Sequence, residues 1–377
     1  MTVARPDPDR LTAGVAYRMH CVAEAAGDVN RTTLRLDALP ERLDDGTVFG
    51  IDTAGPSVLD FNGARAELAV EGGRFVGLGN SQRGQRTADQ GNHLLDLGLH
   101  GVFLFNLVDA QNRSYPDCAA CFGDAPVLHY CRPIVRRQDT ALVPLLGYYS
   151  DVGSPNVPVP GYDEIAEADK IPQAVWRGAP SGTRQTDGEQ QWLSGIWRRW
   201  PRLDPAGQDA LRAQLSAFDR VRLVASAAGV AGINAGFAMK GNYSEDWVTA
   251  NLPADMQTWF KAPMHRTRQL RFRYILAIEG NDIPSGLFWI LASNSVALCG
   301  PRRWETVLDQ GLEPWVHFVP VEPTAESVQA RIAQLENDPA LRRGIISNAN
   351  AFMREATDAA FRAALDRACY EQAMRSF

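Results

Sequence analysis

Apolar and polar residues alternate through residues 64–78, ARAELAVEGGRFVGL, on either side of Glu71-Gly72-Gly73. Period-two alternation makes a strand with one buried face, and a glycine pair between two such runs makes a hairpin. Residues 101–108, from Gly101 to Val108, are instead an almost continuous apolar run, the pattern of a strand buried on both faces. The run stops at Asp109, and the polar Gln111, Asn112, Arg113 and Ser114 follow. Residues 1–60 hold few periodic signals and many turn formers, so no element is assigned there. The passage Ser154 to Gly161, SPNVPVPG, reads as a linker or crossing loop.

Beyond that passage, strands and helices alternate. Short strands are predicted at Gln173–Trp176, Val221–Ala225, Arg273–Ile278, Ser295–Cys299 and Trp315–Val319. One helix is predicted from Asp204-Pro205, with Asp204 as N-cap and Leu211, Leu215 and Phe218 on one face. A second begins near Pro284-Ser285 and carries Leu287, Ile290 and Leu291. A third, Ser327–Glu336, places Val328, Ile332 and Leu335 at helical spacing, and Asp338-Pro339 opens a helical C-terminus. Strands and helices alternating at this spacing predict a parallel sheet with right-handed crossovers.

A chain of 377 residues is too long for one small core, so two α/β domains are expected. Hydrophobic residues at 45% and charged residues at 22% belong to a globular protein rather than a disordered one. With 38 basic against 44 acidic residues the net charge is −6, which argues against nucleic acid as a partner but leaves room for a local basic pocket. No stretch has the continuous apolar length of a membrane span or a signal h-region, so a cytoplasmic protein with reduced thiols is expected. Cys118-x2-Cys121 with His129 and Cys131 has a zinc-like look. Two ligands only two residues apart suit a closed tetrahedral site poorly, however, and free thiols are expected instead. Asp7-x-Asp9 has the spacing of a metal-binding aspartate pair but follows no strand, and no metal site is expected.

Parallel sheets place ligands beyond the carboxyl ends of their strands, and three features fall at such ends. Asp109 offers a carboxylate, Arg177 a guanidinium suited to phosphate oxygens, and Glu279–Asp282 a glycine-containing turn feeding a helix N-terminus. A base opposite an anion site is what transfer from a nucleotide-sugar requires, since the acceptor hydroxyl loses a proton while a diphosphate leaves. The same residues equally fit a turn former, a surface arginine and a tight bend. The basic run His265, Arg266, Arg268, Arg271, Arg273 equally fits a solvated face. Pattern alone gives a two-domain α/β protein with an anion site.

The segment Gln269–Val321 carries the block Glu279-Gly280-Asn281-Asp282, then Ser293-Asn294-Ser295, then PWVHFVP at Pro314–Pro320. In this order and spacing it resembles glycosyltransferase family 90. Upstream, Ala174-Val175-Trp176-Arg177-Gly178 followed by Ser181 resembles the family's aromatic-Arg-Gly-x-x-Ser segment. Phe105-Asn106-Leu107-Val108-Asp109 resembles the strand that ends in the family's proposed catalytic aspartate. The resemblance covers residues 65 to 355. It implies a GT-B fold, two facing Rossmann-like domains with a C-terminal helical segment, and metal-independent inverting transfer. The partners it implies are a nucleotide-sugar donor, UDP-linked, and a glycan or glycolipid acceptor, with peripheral membrane contact allowed. It further implies an acceptor-side domain over 1–160, a nucleotide-sugar-binding domain over 161–345 and helices over 346–377 that pack back on the first domain. Asp109 would be the general base and Arg177 a contact of the donor diphosphate. Gly178, Ser181, Glu279, Gly280, Asn281, Asp282 and Ser285 would line the donor site. Eukaryotic members have an arginine gripping the diphosphate where Gly286 stands, and the bacterial branch usually has lysine where Phe288 stands. Arg271 and Arg273 are the candidates to compensate. These two departures give weight to a catalytically silent sugar-nucleotide or glycan-binding protein, and a GT-B sugar-nucleotide epimerase is a third reading.

Overall fold

The computed structural model describes residues 47–109, 127–134, 141–146, 153–186 and 189–375. Asp7, Asp9, Cys118 and Cys121 lie outside these residues. The chain divides into two compact units. The first takes the described residues up to Val157, with Trp304–Gly311 and the chain from Ala356; the second takes Pro158–Arg303 and Leu312–Glu355.

The strands of the first unit are β1 (Phe49–Asp52), β2 (Ser57–Val58), β3 (Leu68–Glu71), β4 (Arg74–Gly77), β5 (Val102–Phe105), β6 (Val127–His129), β7 (Arg132–Pro133) and β8 (Ala141–Leu142). A five-stranded sheet runs β2-β1-β5-β6-β8. β5 is antiparallel to β1 and parallel to β6, so it lies inside the sheet, as its unbroken apolar run predicts. β3 and β4 form the predicted hairpin, with Glu71 opposite Arg74 and both linking glycines at positive φ, 56° and 78°. Only glycine takes two such residues in succession at no steric cost, which is why the Gly72-Gly73 pair could be read as a turn. The helix Gln82–Asp96, unread in the sequence, is capped by the Ser81 hydroxyl, which accepts from the Gly84 N–H at 2.9 Å. The C-terminal helix Ala359–Arg375 belongs to this unit, and its Tyr370 hydroxyl meets Gln90 on Gln82–Asp96.

The second unit holds β9 (Ile171–Gly178), β10 (Thr183–Thr186), β11 (Glu189–Trp192), β12 (Ile233–Ala238), β13 (Phe260–Lys261), β14 (Phe272–Ala277) and β15 (Val296–Cys299). β16 (Trp304–Glu305) returns to the first unit and pairs with β7, and β17 (Val319–Pro320) completes the second. The six-stranded sheet runs β13-β12-β9-β14-β15-β17, every pair parallel. Counted within this sheet the order is 3-2-1-4-5-6, that of a doubly wound Rossmann sheet. Its core is strongly aromatic. Phe237 of β12 lies 5.8 Å from Trp176, 6.4 Å from Trp197 and 5.3 Å from Phe260, ring centroid to centroid. Each such pair adds about 0.5–1.5 kcal/mol beyond the area it buries.

Two predicted strands are corrected. Val221–Ala225 lies inside the helix Asp219–Ala227, whose buried positions Val221, Val224 and Ala227 have helical spacing. Five residues, mostly apolar, fit either period, and the arginines at 220 and 222 give an accidental alternation. Trp315–Val319 is extended only from Val319. Trp315 has φ of 66°, and its N–H donates to the Phe318 carbonyl at 2.7 Å, closing a turn. Among the described residues no helix is long and apolar enough to cross a membrane.

Candidate functional site

In the second unit the chain fills one side of β9 with β12 and β13, then returns to fill the other side with β14, β15 and β17. Such a reversal opens a crevice at the carboxyl ends of the two central strands, here β9 and β14. The residues beyond these ends are 179–182 and 278–282; Arg177 and Gly178 are the last two residues of β9.

The loops are sewn together. The Thr183 N–H donates to the Gly280 carbonyl and the Thr183 hydroxyl to the Asn281 carbonyl, both at 3.0 Å. Gly280 in turn donates its N–H to the Asp282 carbonyl at 3.1 Å, which tightens the turn. Arg220, at the start of the helix Asp219–Ala227, bridges the same loops. Its guanidinium donates to the Ser181 hydroxyl at 3.0 Å and the Ala179 carbonyl at 3.2 Å on one side, and to the Ile278 carbonyl at 3.1 Å on the other. A Cβ at Gly280 would stand 2.4 Å from this guanidinium, so the glycine is required by close approach. Burial lowers the Arg220 pKa to about 10 while Asp282 and Glu279 push it upward, leaving it cationic at neutral pH. Gly280→Ala is expected to force Arg220 out of this position and to cost about 1–3 kcal/mol in urea unfolding. Most of that loss should vanish in an Arg220→Ala background, because the two changes share one contact.

Both oxygens of the buried Glu279 accept from the Arg303 N–H, at 2.9 and 3.0 Å, and the Arg303 side chain donates to Asp219 at 2.6 Å. Neither Arg220 nor Arg303 carries a motif in the sequence. The one signal available is Gly280, a glycine directly after a strand, where a neighbour must come close. Ser285 is exposed, and the helix beyond it, Leu287–Leu291, has only five residues. Phe288 is fully buried, so the position at which the bacterial branch usually carries lysine is here part of the core.

Arg177 leaves β9 on the other side. It donates to the Ala262 carbonyl at 3.1 Å, the Trp176 and Asn234 carbonyls at 2.8 Å, and Asn234 Oδ1 at 2.9 Å, using four of its five N–H donors. Gly178 ends the strand against Trp176, whose ring a Cβ would meet at 2.3 Å. Arg271 and Arg273 stand at the amino end of β14, away from the Glu279–Ser285 turn at its carboxyl end. Arg271 is exposed, and Arg273 is bound to both Glu336 oxygens at 2.8 Å. The structure therefore gathers Ser181, Glu279, Gly280, Asn281 and Asp282, sets Arg177 beside them over β12, and leaves Arg271 and Arg273 elsewhere.

Asp109 stands in the first unit, three residues past the buried Asn106. The Asn106 side chain donates to the Thr47 hydroxyl at 2.8 Å and accepts from the Val108 N–H at 3.3 Å, which turns the chain after β5 and presents Asp109. The carboxylate is exposed, accepts from the Tyr130 hydroxyl at 3.1 Å and has an Arg86 nitrogen at 3.7 Å. Arg86 is itself fixed on the Leu107 carbonyl and lies over the Tyr130 ring. The phenolic donor and the neighbouring cation set the orientation of this accessible carboxylate.

Residues 239–360 match the family model "Glycosyl transferase family 90", bearing out the resemblance over that segment. The match contains the Glu279–Ser285 turn and leaves Asp109, Arg177, Gly178 and Ser181 outside. An O-glucosyltransferase, LpsA, of Dichelobacter nodosus is 38% identical to this chain over 99 residues, 25% of this chain. The similarity spans 31% of that protein's length.

Proposed function

We propose that this chain is a glycosyltransferase of the GT-B fold that moves a sugar, with inversion, from a nucleotide-sugar to a hydroxyl of a glycan or glycolipid in the cytoplasm. The observation that carries the reading is the crevice between β9 and β14, with Gly280 under Arg220; its β14 side, with the Glu279–Asp282 turn, lies in the segment that matches the family. A UDP-linked sugar is the proposed donor. Its phosphates sit at the loop amides of 178–182 and 279–282, where Arg220 supplies positive charge near the leaving group. Asp109 takes the proton of the attacking hydroxyl as the new glycosidic bond forms. The full site set is Asp109 with Arg177, Gly178, Ser181, Glu279, Gly280, Asn281, Asp282 and Ser285.

A second reading is a binding protein without turnover, favoured by the absence of a cation at Gly286 and the burial of Phe288. The two are separated by release of nucleoside diphosphate from a panel of nucleotide-sugars, with and without glycan acceptors and with EDTA present. The transferase reading expects acceptor-stimulated release that EDTA leaves unchanged. Tight donor binding with no release on any acceptor would favour the binding protein, and activity restored only by manganese would overturn metal independence.

A further inference from the structure

The first unit holds a partly open pocket built from three stretches of chain: Tyr130 with residues 143–145, residues 306–308, and one face of the helix Ala359–Arg375. Its walls are mostly apolar, with Val143, Leu145, Val307 and Leu365 among them, and its inner space of about 10 Å³ takes one water-sized group. The frame is fixed. Tyr370, one helical turn beyond Asp366, donates its hydroxyl to the Gln90 side chain, and Gln90 donates to the Pro144 carbonyl, which ties the helix to the opposite wall. Arg362 and Asp366, 6% and 8% exposed, line the same space from successive turns of the helix. Asp366 Oδ2 has His93 Nε2 at 3.7 Å, whereas Oδ1 accepts no hydrogen bond among the described residues. Burying a carboxylate oxygen without a donor is costly, and its place on a pocket points to a donor that arrives from outside. Tyr130 forms one wall and gives its hydroxyl to Asp109 at 3.1 Å, which sets the pocket next to the residue proposed as the base.

We infer that this pocket binds the hydroxymethyl arm of a sugar, with Asp366 Oδ1 accepting from its hydroxyl. A hydroxyl can donate to the Asp366 carboxylate and accept from the Arg362 guanidinium in one place, whereas an ammonium only donates and a carboxylate only accepts. A lone water has the same two capacities, but its other sides would face apolar wall, where the methylene of a CH2–OH arm gains contact. Room for one such group keeps the sugar ring outside, on the Tyr130 and Asp109 side. Asp366 is then a specificity-determining residue: it favours hexoses over pentoses, which lack the arm. As part of the acceptor site the pocket rests on the transferase reading; as a sugar-binding pocket it stands without it.

The test is a 1H NMR titration of the full chain, with no donor present, using methyl glycoside pairs that differ only in the arm: β-D-glucoside with β-D-xyloside, β-D-galactoside with α-L-arabinopyranoside, and α-D-mannoside with α-D-lyxoside. In at least one pair the hexoside is expected to bind about tenfold tighter, which is what a hydrogen bond to a charged group contributes. Asp366→Ala removes the acceptor oxygen, and Val307→Leu fills the space while leaving Asp366 in place. Each should bring the two affinities of that pair together without weakening the pentoside, and urea unfolding shows that the variant compared is folded. Equal affinities in every wild-type pair, or a preference that survives in either folded variant, would overturn the inference and leave the pocket to a water. A preference that both variants abolish, in a chain that releases no nucleoside diphosphate with any acceptor, would keep the pocket and overturn the transferase reading instead.

Discussion

Asp109→Asn is expected to lower glycosyl transfer by about 10² to 10⁴, the usual worth of a positioned general base. Asparagine keeps the shape of the side chain and can still accept the Tyr130 hydroxyl, which donates to Asp109 Oδ1 at 3.1 Å. What it loses is basicity, so the acceptor proton has no place to go as the new bond forms. Donor affinity should change little, because the loops proposed to bind the nucleotide belong to the other unit. Transfer rates and nucleoside diphosphate titrations on the same preparation check both halves of the expectation. A carboxylate that only capped the turn after β5 would let asparagine substitute with near-normal turnover. Tyr130→Phe then reports on orientation alone: it removes the donor to Asp109 and should reduce turnover far less than Asp109→Asn does.

The largest loss of stability is expected at Asp163, at the opposite end of the second unit's sheet. Lys170 Nζ donates to Asp163 Oδ2 at 2.8 Å and to the Leu270 carbonyl, and both side chains of the pair are essentially inaccessible. Asp163 also accepts from the N–H of Asn294 at 2.9 Å and of Ile165 at 3.2 Å, so one carboxylate holds three segments. Burial pulls the Lys170 pKa down despite the pull of Asp163 in the other direction. Asp163→Ala strands a buried ammonium and two N–H groups, and about 3–5 kcal/mol should be lost in urea unfolding. Replacing both partners, Asp163→Leu with Lys170→Met, should cost much less than the sum of the single changes, because no buried charge is then left alone. Equal losses in the double and the Asp163→Ala variants would show that the charge pairing itself contributes nothing.

How far the sequence was legible follows from what each residue must do locally. The hairpin at Gly72-Gly73, the N-cap at Asp204 and the strand Phe272–Ala277 are set by backbone needs or by continuous burial, which leave marks within a few residues. β12 went unread because Ile233–Ala238 contains small residues in place of branched ones, and the reason lies in Lys261 packing on Gly236 from another strand. Val221–Ala225 reads as a strand although it lies in the helix Asp219–Ala227, because five residues are too few to separate a period of 3.6 from one of two. Asp109 and Gly280 could be found as residues at strand ends. Arg220 could not, since its importance comes from the Ser181 and Ile278 atoms it joins, and these lie 39 and 58 residues away. Arg271 and Arg273 drew notice as cations close in sequence to the turn, but a strand separates its two ends in space by roughly 3.3 Å for every residue.

The claim of sugar transfer is tested most directly by following the anomeric protons during a reaction with a UDP-α-linked sugar and a glycan acceptor, using 1H NMR in the presence of EDTA. The account predicts a new β-linked anomeric signal that grows in step with released UDP and is lost in Asp109→Asn. UDP release with no new glycosidic signal, or conversion of the donor to another UDP-sugar without an acceptor, would contradict it.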